Sequence, residues 1–410
     1  MSSVPATRFE VHVDLAGGTV RAGTAHVATR RGETVCTFTY DADYLGSPDS
    51  FDLGPDLPRA EISVTTHGLP GALRDSAPDR WGGHLIARRV HAEDRDARRT
   101  PRTLTDVDYL LGVSDLTRQG AMRYRQGGGD FVATGTDVPK LLELPTLLHA
   151  ATLVARGAGG RDEFAAIKVL VDAGTGSLGG ARPKASVRDG QRLLIAKFPH
   201  PHDEWDVEAW EATALDLAHA AGIAVPRHEL VDVDGHSVLL LERFDRREGR
   251  RVPYASAMTL MRTTDGVGHD YTELAESLAA QGSRVTADLR DLWRRVAFSL
   301  VVNNCDDHLR NHGFLFDDGG WAASPLFDVN PNPDPRVERA TSIGFATDSR
   351  ETPTALFAAA RDFRLTPADA RRVWDEVLAA TEGWRAVAAA NGVSARELDD
   401  FAEALDQHHR

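Results

Sequence analysis

The sequence has few cysteines and no long apolar runs, and each shortage excludes a class of protein. Only Cys36 and Cys305 occur in 410 residues, too few for a disulfide framework and unsuited to a zinc site. No apolar run approaches the ~20 residues of a membrane span, and the N-terminal residues Met-Ser-Ser-Val-Pro-Ala-Thr-Arg lack the apolar core of a signal peptide. We therefore expect a cytoplasmic protein with no membrane partner.

The chain also lacks the basic charge of a protein that binds nucleic acid by itself. It has 47 Lys and Arg against 61 Asp and Glu, a formal net charge of −14, and such a field would repel DNA. Residues 88–102 hold six arginines against three acids, which predicts an ion-paired, solvated helix face more than a nucleic-acid patch. An apolar share of 42% over 410 residues is typical of a globular protein of two or three domains.

The pattern along the chain predicts three domains of an α+β protein. Residues 9–15, 23–27 and 34–40 alternate apolar and polar side chains and are rich in β-branched and aromatic residues, so domain 1–125 is expected to be a small β-rich unit. Residues 126–250 are expected to form an N-lobe with a glycine-rich loop and several strands. Residues 251–410 are expected to form an all-helical C-terminal lobe.

A glycine-rich loop precedes a strand that contains a lysine. Four glycines fall within residues 174–180, and their freedom lets backbone N–H groups approach phosphate. No G-K-[ST] closes the loop, so it is not a Walker A sequence, and by itself it could be an ordinary turn. Lys197 follows inside the apolar strand 192–198, where an ammonium group needs an anionic partner.

A polar loop after an apolar helix holds the strongest chemical pattern. Leu289, Leu292 and Leu300 recur at helical spacing, and the chain then becomes polar. Asp306 and Asn311 stand in the relation D-x-x-x-x-N of a kinase catalytic loop, in which the Asp accepts the hydroxyl proton and the Asn binds a metal ion. Asp328 is the natural second carboxylate for Mg²⁺. Alternatively, the Asp and Asn are caps of a polar turn.

Together these motifs resemble the HipA family of bacterial toxin kinases over nearly the whole chain. The shared pieces occur in the family's order: Ser-Leu-Gly-Gly-Ala-x-x-Lys, Lys-Phe-Pro, Gly-x-x-Val-Pro, Leu-Glu-Arg-Phe-Asp-Arg, Asn-x-Asp-Asp-His-x-x-Asn and Phe-Asp. The resemblance implies a two-lobed kinase-like core, ATP and Mg²⁺ as cofactors, and transfer of phosphate to a serine or threonine of a protein. Two departures, Cys305 for threonine and Arg310 for lysine, leave the chemistry intact.

The resemblance also implies a role for each matching residue. Asp306 resembles the catalytic base, Asn311 and Asp328 the metal ligands, and His308 a residue near the nucleotide phosphates. Ser177 matches a serine whose autophosphorylation displaces the loop from its ATP-binding position. The remaining nucleotide contacts are expected in the phosphate loop (Gly179, Gly180, Ala181, Arg182, Lys184), at the strand lysine Lys197, and in the adenine hinge (Glu242, Arg243, Phe244).

The same resemblance implies partners. The family's usual partner is a HipB-like helix-turn-helix antitoxin, through which the acidic toxin would reach DNA only indirectly. The expected substrate is a protein, in some members an aminoacyl-tRNA synthetase. Two other functions compete with the toxin kinase: a kinase of a small molecule, and a catalytically silent corepressor that binds the antitoxin. The presence of Asp306, Asn311, Asp328 and Lys197 disfavours the silent form.

Overall fold

A computed structural model describes residues 6–30, 33–78, 80–100, 102–132, 137–157, 160–174 and 180–409. The contact pattern divides the chain into two compact units, Met1–His202 with Asp232–Ala255, and Asp203–Val231 with Ser256–Arg410. No helix in these described ranges is long and apolar enough to cross a membrane.

The first unit begins with the predicted antiparallel sheet, which has five strands in the order β4-β3-β2-β1-β5. Its inner face is apolar because alternate residues such as Phe38 and Tyr40 of β3 point to the same side. The register shifts between Val11 and His12, opposite Gly23, where a Cβ would lie 2.3 Å from the Thr39 carbonyl oxygen. The strands are β1 (Thr7–Leu15), β2 (Gly18–Arg30), β3 (Glu33–Tyr40), β4 (Val64–His67) and β5 (Met122–Arg125).

The described residues of the first unit also form six α-helices. They are α1 (Ala42–Leu45), α2 (Gly71–Asp75), α3 (Arg80–Asp96), α4 (Asp106–Gly112), α5 (Leu144–Arg156) and α6 (Gly160–Asp172). Residues 71–96 contain two separate helices, α2 and α3, and α6 has no counterpart among the sequence-based predictions. The arginine-rich stretch is ion-paired, as expected: Arg99 lies 2.9 Å from Asp94, and Arg88 pairs with Glu163.

A second antiparallel sheet in the first unit carries the lysine strand. Strands β6 (Lys184–Asp189), β7 (Arg192–Lys197) and β9 (His236–Glu242) are neighbours in that order. A short hairpin follows, formed by β10 (Arg246–Arg247) and β11 (Arg250–Arg251). The chain passes between the two units within β8 (His228–Val233) and β12 (Tyr254–Ser256).

The second unit is mostly helical, which agrees with the predicted C-terminal lobe, but it is not all-helical. The hairpin of β13 (Gly313–Asp317) and β14 (Gly320–Ala323) follows the polar loop. Its helices are α7 (Val207–Ala220), α8 (Ala257–Leu260), α9 (Tyr271–Gln281), α10 (Val285–Val301), α11 (Thr352–Ala358), α12 (Pro367–Thr381), α13 (Trp384–Ala390) and α14 (Ala395–Asp406). Helix α10 packs against α9, α11 and α12, and its buried Trp293 places it in the core.

Candidate active site

The polar loop begins with a sharp reversal at the end of α10. Asn303 has a φ of +52°, a conformation that asparagine tolerates better than most residues. Its amide N–H donates to the Leu300 carbonyl at 3.1 Å. The side-chain Nδ2 of Asn303 donates to the carbonyl oxygens of Asn332 and Asp334 at 2.7 and 3.1 Å. The loop is therefore joined to the segment that follows Asp328.

The structure places the side chain of Asn311 beside the main chain of both Asp306 and Asp328. The Nδ2 group of Asn311 donates to the main-chain oxygen of Asp306 at 3.1 Å and lies 3.5 Å from that of Asp328. Asn311 is buried on a 3₁₀ turn, Leu309–Asn311, whereas Asp306 is exposed. The buried amide of Asn311 therefore connects the main chain of the exposed Asp306 to that of Asp328.

The oxygen atoms of Asn311 and Asp328 are of the type that binds a magnesium ion. Asp328 has a φ of +58°, in the left-handed region that aspartate, like asparagine, adopts more readily than most residues. The amide of Asn311 donates through Nδ2, which leaves its oxygen as the acceptor, and Asp328 supplies a carboxylate. Mg²⁺ bound beside phosphate needs only one or two such protein ligands. The described residues contain no cluster of three or more His, Cys, Asp or Glu suited to a metal.

The neighbouring Asp307 belongs to the interior, a role that the sequence reasoning missed. Its side chain accepts hydrogen bonds from the hydroxyl groups of Tyr271 and, at 3.1 Å, Ser299. Its Oδ1 lies 3.1 Å from Nε2 of His312. Burial alone would raise the pKa of Asp307, but His312, Tyr271 and nearby Arg339 bring it well below its usual range. Asp307 is therefore a buried anion that holds the loop in place.

The other candidate residues of the loop occupy distinct environments. His308 is partly exposed, and its buried Nδ1 has no hydrogen-bond partner among the described residues. Arg310 forms a two-pronged ion pair with Asp265, at 3.0 and 2.5 Å. Cys305 is buried, and burial raises the pKa of its thiol. The thiol lies 3.4 Å from Oδ1 of Asn303, so this departure from threonine keeps a weak version of the hydroxyl's hydrogen bond.

In the first unit, the phosphate-loop candidates are described in part. Ser177 and Gly179 lie outside the described residues. Gly180 has a φ of +97°, and Ala181 and Arg182 are exposed and partly exposed. Lys184 stands opposite Lys197 in the β6–β7 register, and the two are only 3% and 8% exposed. Because directly paired residues point to the same face, this face requires compensating negative charge.

The hinge candidates lie where β9 ends, and one of them has a structural role. The guanidinium group of Arg243 is buried and donates to Asp245 at 2.8 Å and to the Thr117 carbonyl at 2.8 Å. Asp245 also accepts from the Gly120 N–H at 2.8 Å. Burial would raise the pKa of Asp245, but Arg243 and Arg246 bring it well below its usual range. The Arg243 side chain is thus committed to the interior of the first unit.

Glu242 and Phe244, on either side of Arg243, are partly exposed. The carboxylate of Glu242 lies 3.5 Å from Arg192, and the ring of Phe244 lies 6.4 Å from that of Tyr254. The Arg243 N–H donates to the Leu193 carbonyl at 3.0 Å. This amide is therefore used by the sheet, and the adenine contact of the predicted hinge stays a prediction.

Two family models match the sequence. The HipA-like C-terminal domain matches residues 176–384 and the HipA N-terminal domain matches residues 17–100. Among solved structures, a chain from the complex of HipA, HipB and operator DNA of Shewanella oneidensis MR-1 superposes with a TM-score of 0.67 at 16% identity. That match covers 97% of this chain and 95% of the other, so the two share a fold.

Three curated relatives are similar over parts of the chain. A Sinorhizobium fredii protein that carries a kinase name is 30% identical over 33% of this chain, and a Haemophilus influenzae protein with a kinase name is 24% identical over 48%. The serine/threonine-protein kinase toxin HipA of Shewanella oneidensis is 23% identical over 36%. These matches span 33%, 65% and 39% of the relatives' own lengths.

Proposed function

Because this chain belongs to the HipA family, we propose that it is an ATP- and Mg²⁺-dependent serine/threonine protein kinase of the cytoplasm. The observation that carries the proposal is the linked set of Asp306, Asn311 and Asp328. An exposed acid, a buried amide and a second acid are joined by hydrogen bonds to main-chain oxygens. These are the parts that phosphoryl transfer to a hydroxyl requires.

Asp306 is proposed as the base. Its exposure lets a substrate hydroxyl approach, and its carboxylate would accept the hydroxyl proton as the oxygen attacks phosphorus. The backbone of Asp306 is fixed by two hydrogen bonds to its carbonyl oxygen. One comes from Asn311 Nδ2 at 3.1 Å and the other from the His308 N–H at 3.0 Å. A rigid backbone keeps the base in one orientation, which is the main contribution a protein makes to this reaction.

Asn311 and Asp328 are proposed to hold Mg²⁺, which would neutralise the charge of the phosphates when it is bound. His308 is proposed to lie near the nucleotide phosphates, since its side chain is partly exposed beside Asp306. The proton of the substrate hydroxyl would then be accepted by Asp306 and not by His308.

The first unit is proposed to supply the nucleotide-binding residues. Lys184 and Lys197 share one face of the β6–β7 pair, and we assign Lys197 to the α- or β-phosphate. Gly179, Gly180, Ala181 and Arg182 would contact phosphates through the loop backbone. The main chain of Glu242 and Phe244 is proposed for adenine, because the Arg243 N–H is already bonded to the Leu193 carbonyl.

Ser177 is proposed as the site of autophosphorylation. Phosphorylation would add roughly two negative charges beside a loop that binds phosphate. Repulsion would then disfavour ATP, so the kinase would inactivate itself.

The test is intact mass after incubation with ATP and Mg²⁺, followed by peptide mapping. Wild type should gain one phosphate on Ser177, and Asp306→Asn should gain none while keeping its fold. Asp318→Asn, at an exposed turn between β13 and β14, is the matched control and should behave as wild type. A fully active Asp306→Asn enzyme would refute the assigned base.

If no phosphate is added, calorimetry with ATP separates the remaining functions. Tight Mg²⁺-dependent binding of ATP would support a kinase that phosphorylates only other proteins. No binding favours the silent corepressor. Phosphate transfer to a small metabolite in place of protein would instead favour the small-molecule kinase.

The biological role is proposed to be that of the toxin in a type II toxin–antitoxin module. A helix-turn-helix antitoxin of the HipB type would bind it and connect it to DNA, and an aminoacyl-tRNA synthetase is a candidate substrate. The fold shared with a chain of the HipA, HipB and operator DNA complex supports this role. Expression of wild type should arrest growth and expression of Asp306→Asn should not. Co-expression of a helix-turn-helix protein of the HipB type should relieve the arrest.

A further inference from the structure

Three large apolar side chains of the second unit are exposed, and each belongs to a segment that is bonded to the polar loop. Among the described residues of that unit they are Val267, Val337 and Phe345, exposed to 56%, 38% and 93%. We call these three residues the apolar rim. Solvent exposure of single apolar residues is ordinary, but here every one comes from a segment that touches the loop.

Side-chain bonds join these segments to the loop. Asp265, two residues before Val267, forms the ion pair with Arg310. Thr341, four residues before Phe345, donates its hydroxyl to the Asp307 carbonyl at 2.7 Å. Ala340, three residues after Val337, donates its N–H to the Cys305 carbonyl at 2.9 Å. Each member of the apolar rim therefore lies on a segment that is bonded to the polar loop.

Phe345 is held at the tip of a tight turn that does not suit it. Ile343 and Ala346 exchange both backbone hydrogen bonds, at 2.9 and 3.0 Å. The two residues between them, Gly344 and Phe345, have φ values of +55° and +70°. Turns with two such residues favour Gly, Asn or Asp at both positions. A phenylalanine there is strained and, at 93% exposure, gains no packing.

A buried acid fixes this turn. Asp270 is only 4% exposed, and its Oδ2 accepts from the Phe345 N–H at 2.9 Å and from the Ser342 hydroxyl at 2.6 Å. Its other oxygen accepts from the Thr272 N–H at 2.9 Å and so caps α9. The aromatic ring is thus presented to solvent by a preorganised support, which lowers the ordering cost of binding through it.

We propose that the apolar rim docks an apolar side chain of the protein substrate, at a fixed distance in sequence from the serine or threonine that is phosphorylated. This inference rests on the proposed kinase function. A peptide is favoured over a second copy of the chain because three side chains are far short of the ~1,200 Å² that a stable protein interface buries. An aromatic anchor beside a rigid loop suits an extended peptide.

The experiment uses full-length protein with Mg²⁺, ATP and a synthetic peptide library. Each peptide has one central serine or threonine and random flanking positions. Wild type should select large apolar residues at one flanking position. Phe345→Asp should lose that selection, and the KM for the preferred peptide should rise about tenfold, since desolvation of one aromatic contact is worth about that factor. The kcat should stay within twofold.

Two further variants separate docking from structure. Ile62→Asp, at a residue of the first unit that is 76% exposed, is the matched control and should keep the selection and the KM. Phe345→Gly relieves the backbone strain, so its melting temperature should rise while the KM for the preferred peptide also rises. A merely structural residue would not give a more stable enzyme with weaker peptide binding.

The outcomes distinguish the two proposals. If wild type phosphorylates no peptide and no protein, the proposed kinase function fails. If it phosphorylates the library without apolar selection, or Phe345→Asp keeps both selection and KM, the docking surface is wrong and the kinase stands. A Phe345→Asp variant that keeps its peptide profile but changes from dimer to monomer would assign the surface to a second copy, which also overturns the proposal.

Discussion

Asp306 and Asp307 are neighbours in sequence, and we predict opposite consequences when each is replaced by asparagine. Asp306 is exposed, whereas Asp307 is 5% exposed. Asp307→Asn keeps the shape of the side chain but removes its charge. The change therefore leaves His312 and the hydroxyl groups of Tyr271 and Ser299 around a neutral amide.

The structure sets the expected size of the effect. Hydrogen bonds to a charged group contribute about 1.5–3 kcal/mol each, so weakening those from Tyr271 and Ser299 should cost about 3 kcal/mol. Folding free energies of ordinary domains are about 5–15 kcal/mol, so the second unit should lose a large share of its stability. Asp306→Asn should change the free energy of unfolding by less than about 0.5 kcal/mol, as expected for an exposed position.

Urea unfolding followed by tryptophan fluorescence measures both variants, since Trp293 and Trp384 of the second unit are buried. The pH dependence gives a second check on Asp307. Its pKa is lowered in the folded state, so its contribution is present above the unfolded value of about 3.9 and is lost as the pH falls below it. The gap between wild type and Asp307→Asn should therefore narrow below about pH 4.

Equal stability of wild type and Asp307→Asn at pH 7 would refute this reasoning. It would mean that the charge of Asp307 does not hold the loop. Loss of stability in Asp306→Asn as large as in Asp307→Asn would be equally damaging, because the two positions would then share one role.

Three further changes test other parts of the molecule. Asp245→Ala should destabilise the first unit by about 3–5 kcal/mol, since it leaves buried arginines unpaired; a urea midpoint equal to that of wild type would contradict this. Burial, with help from nearby positive charge, lowers the pKa of His408 to about 4, so folding stability should fall from about pH 6.5 downward by at most about 1.4 kcal/mol per pH unit. His408→Leu should remove that slope, and an unchanged slope in urea titrations at pH 7 and 5 would assign it elsewhere. Gly23→Ala should cost about 1–3 kcal/mol, because its Cβ would lie 2.3 Å from a backbone oxygen. Gly17→Ala, with nothing within 4 Å of its Cβ, is the control, and equal melting temperatures for the two would disprove the clash.

Several elements could be predicted because their signals are local. The alternation of residues 9–15 and 34–40 depends only on nearby residues, and both strands are present as β1 and β3. The break between α2 and α3 and the presence of α6 were not predicted. Helices of this length depend on tertiary packing more than on propensity, and that packing cannot be read from a single sequence.

The candidate site divides in the same way. The spacing of Asp306 and Asn311 can be read directly from the sequence, and Asp328 follows them as the next candidate carboxylate. Residue type and order along the chain are therefore enough to propose a set of residues that binds a metal ion and accepts a proton.

The buried role of Asp307 and the interior role of Arg243 were decided only by tertiary structure. Charged residues such as these look alike in sequence, whether they face solvent or sit in the core. What separates them is the set of partners that folding brings from distant positions: Tyr271 lies 36 residues from Asp307, and Thr117 lies 126 residues from Arg243. The sequence by itself determined the family and the order of the motifs, and it supplied the hypothesis that the polar loop is a kinase catalytic loop. The fold decided which charges are buried, because burial and pairing are properties of contacts between segments far apart in the chain.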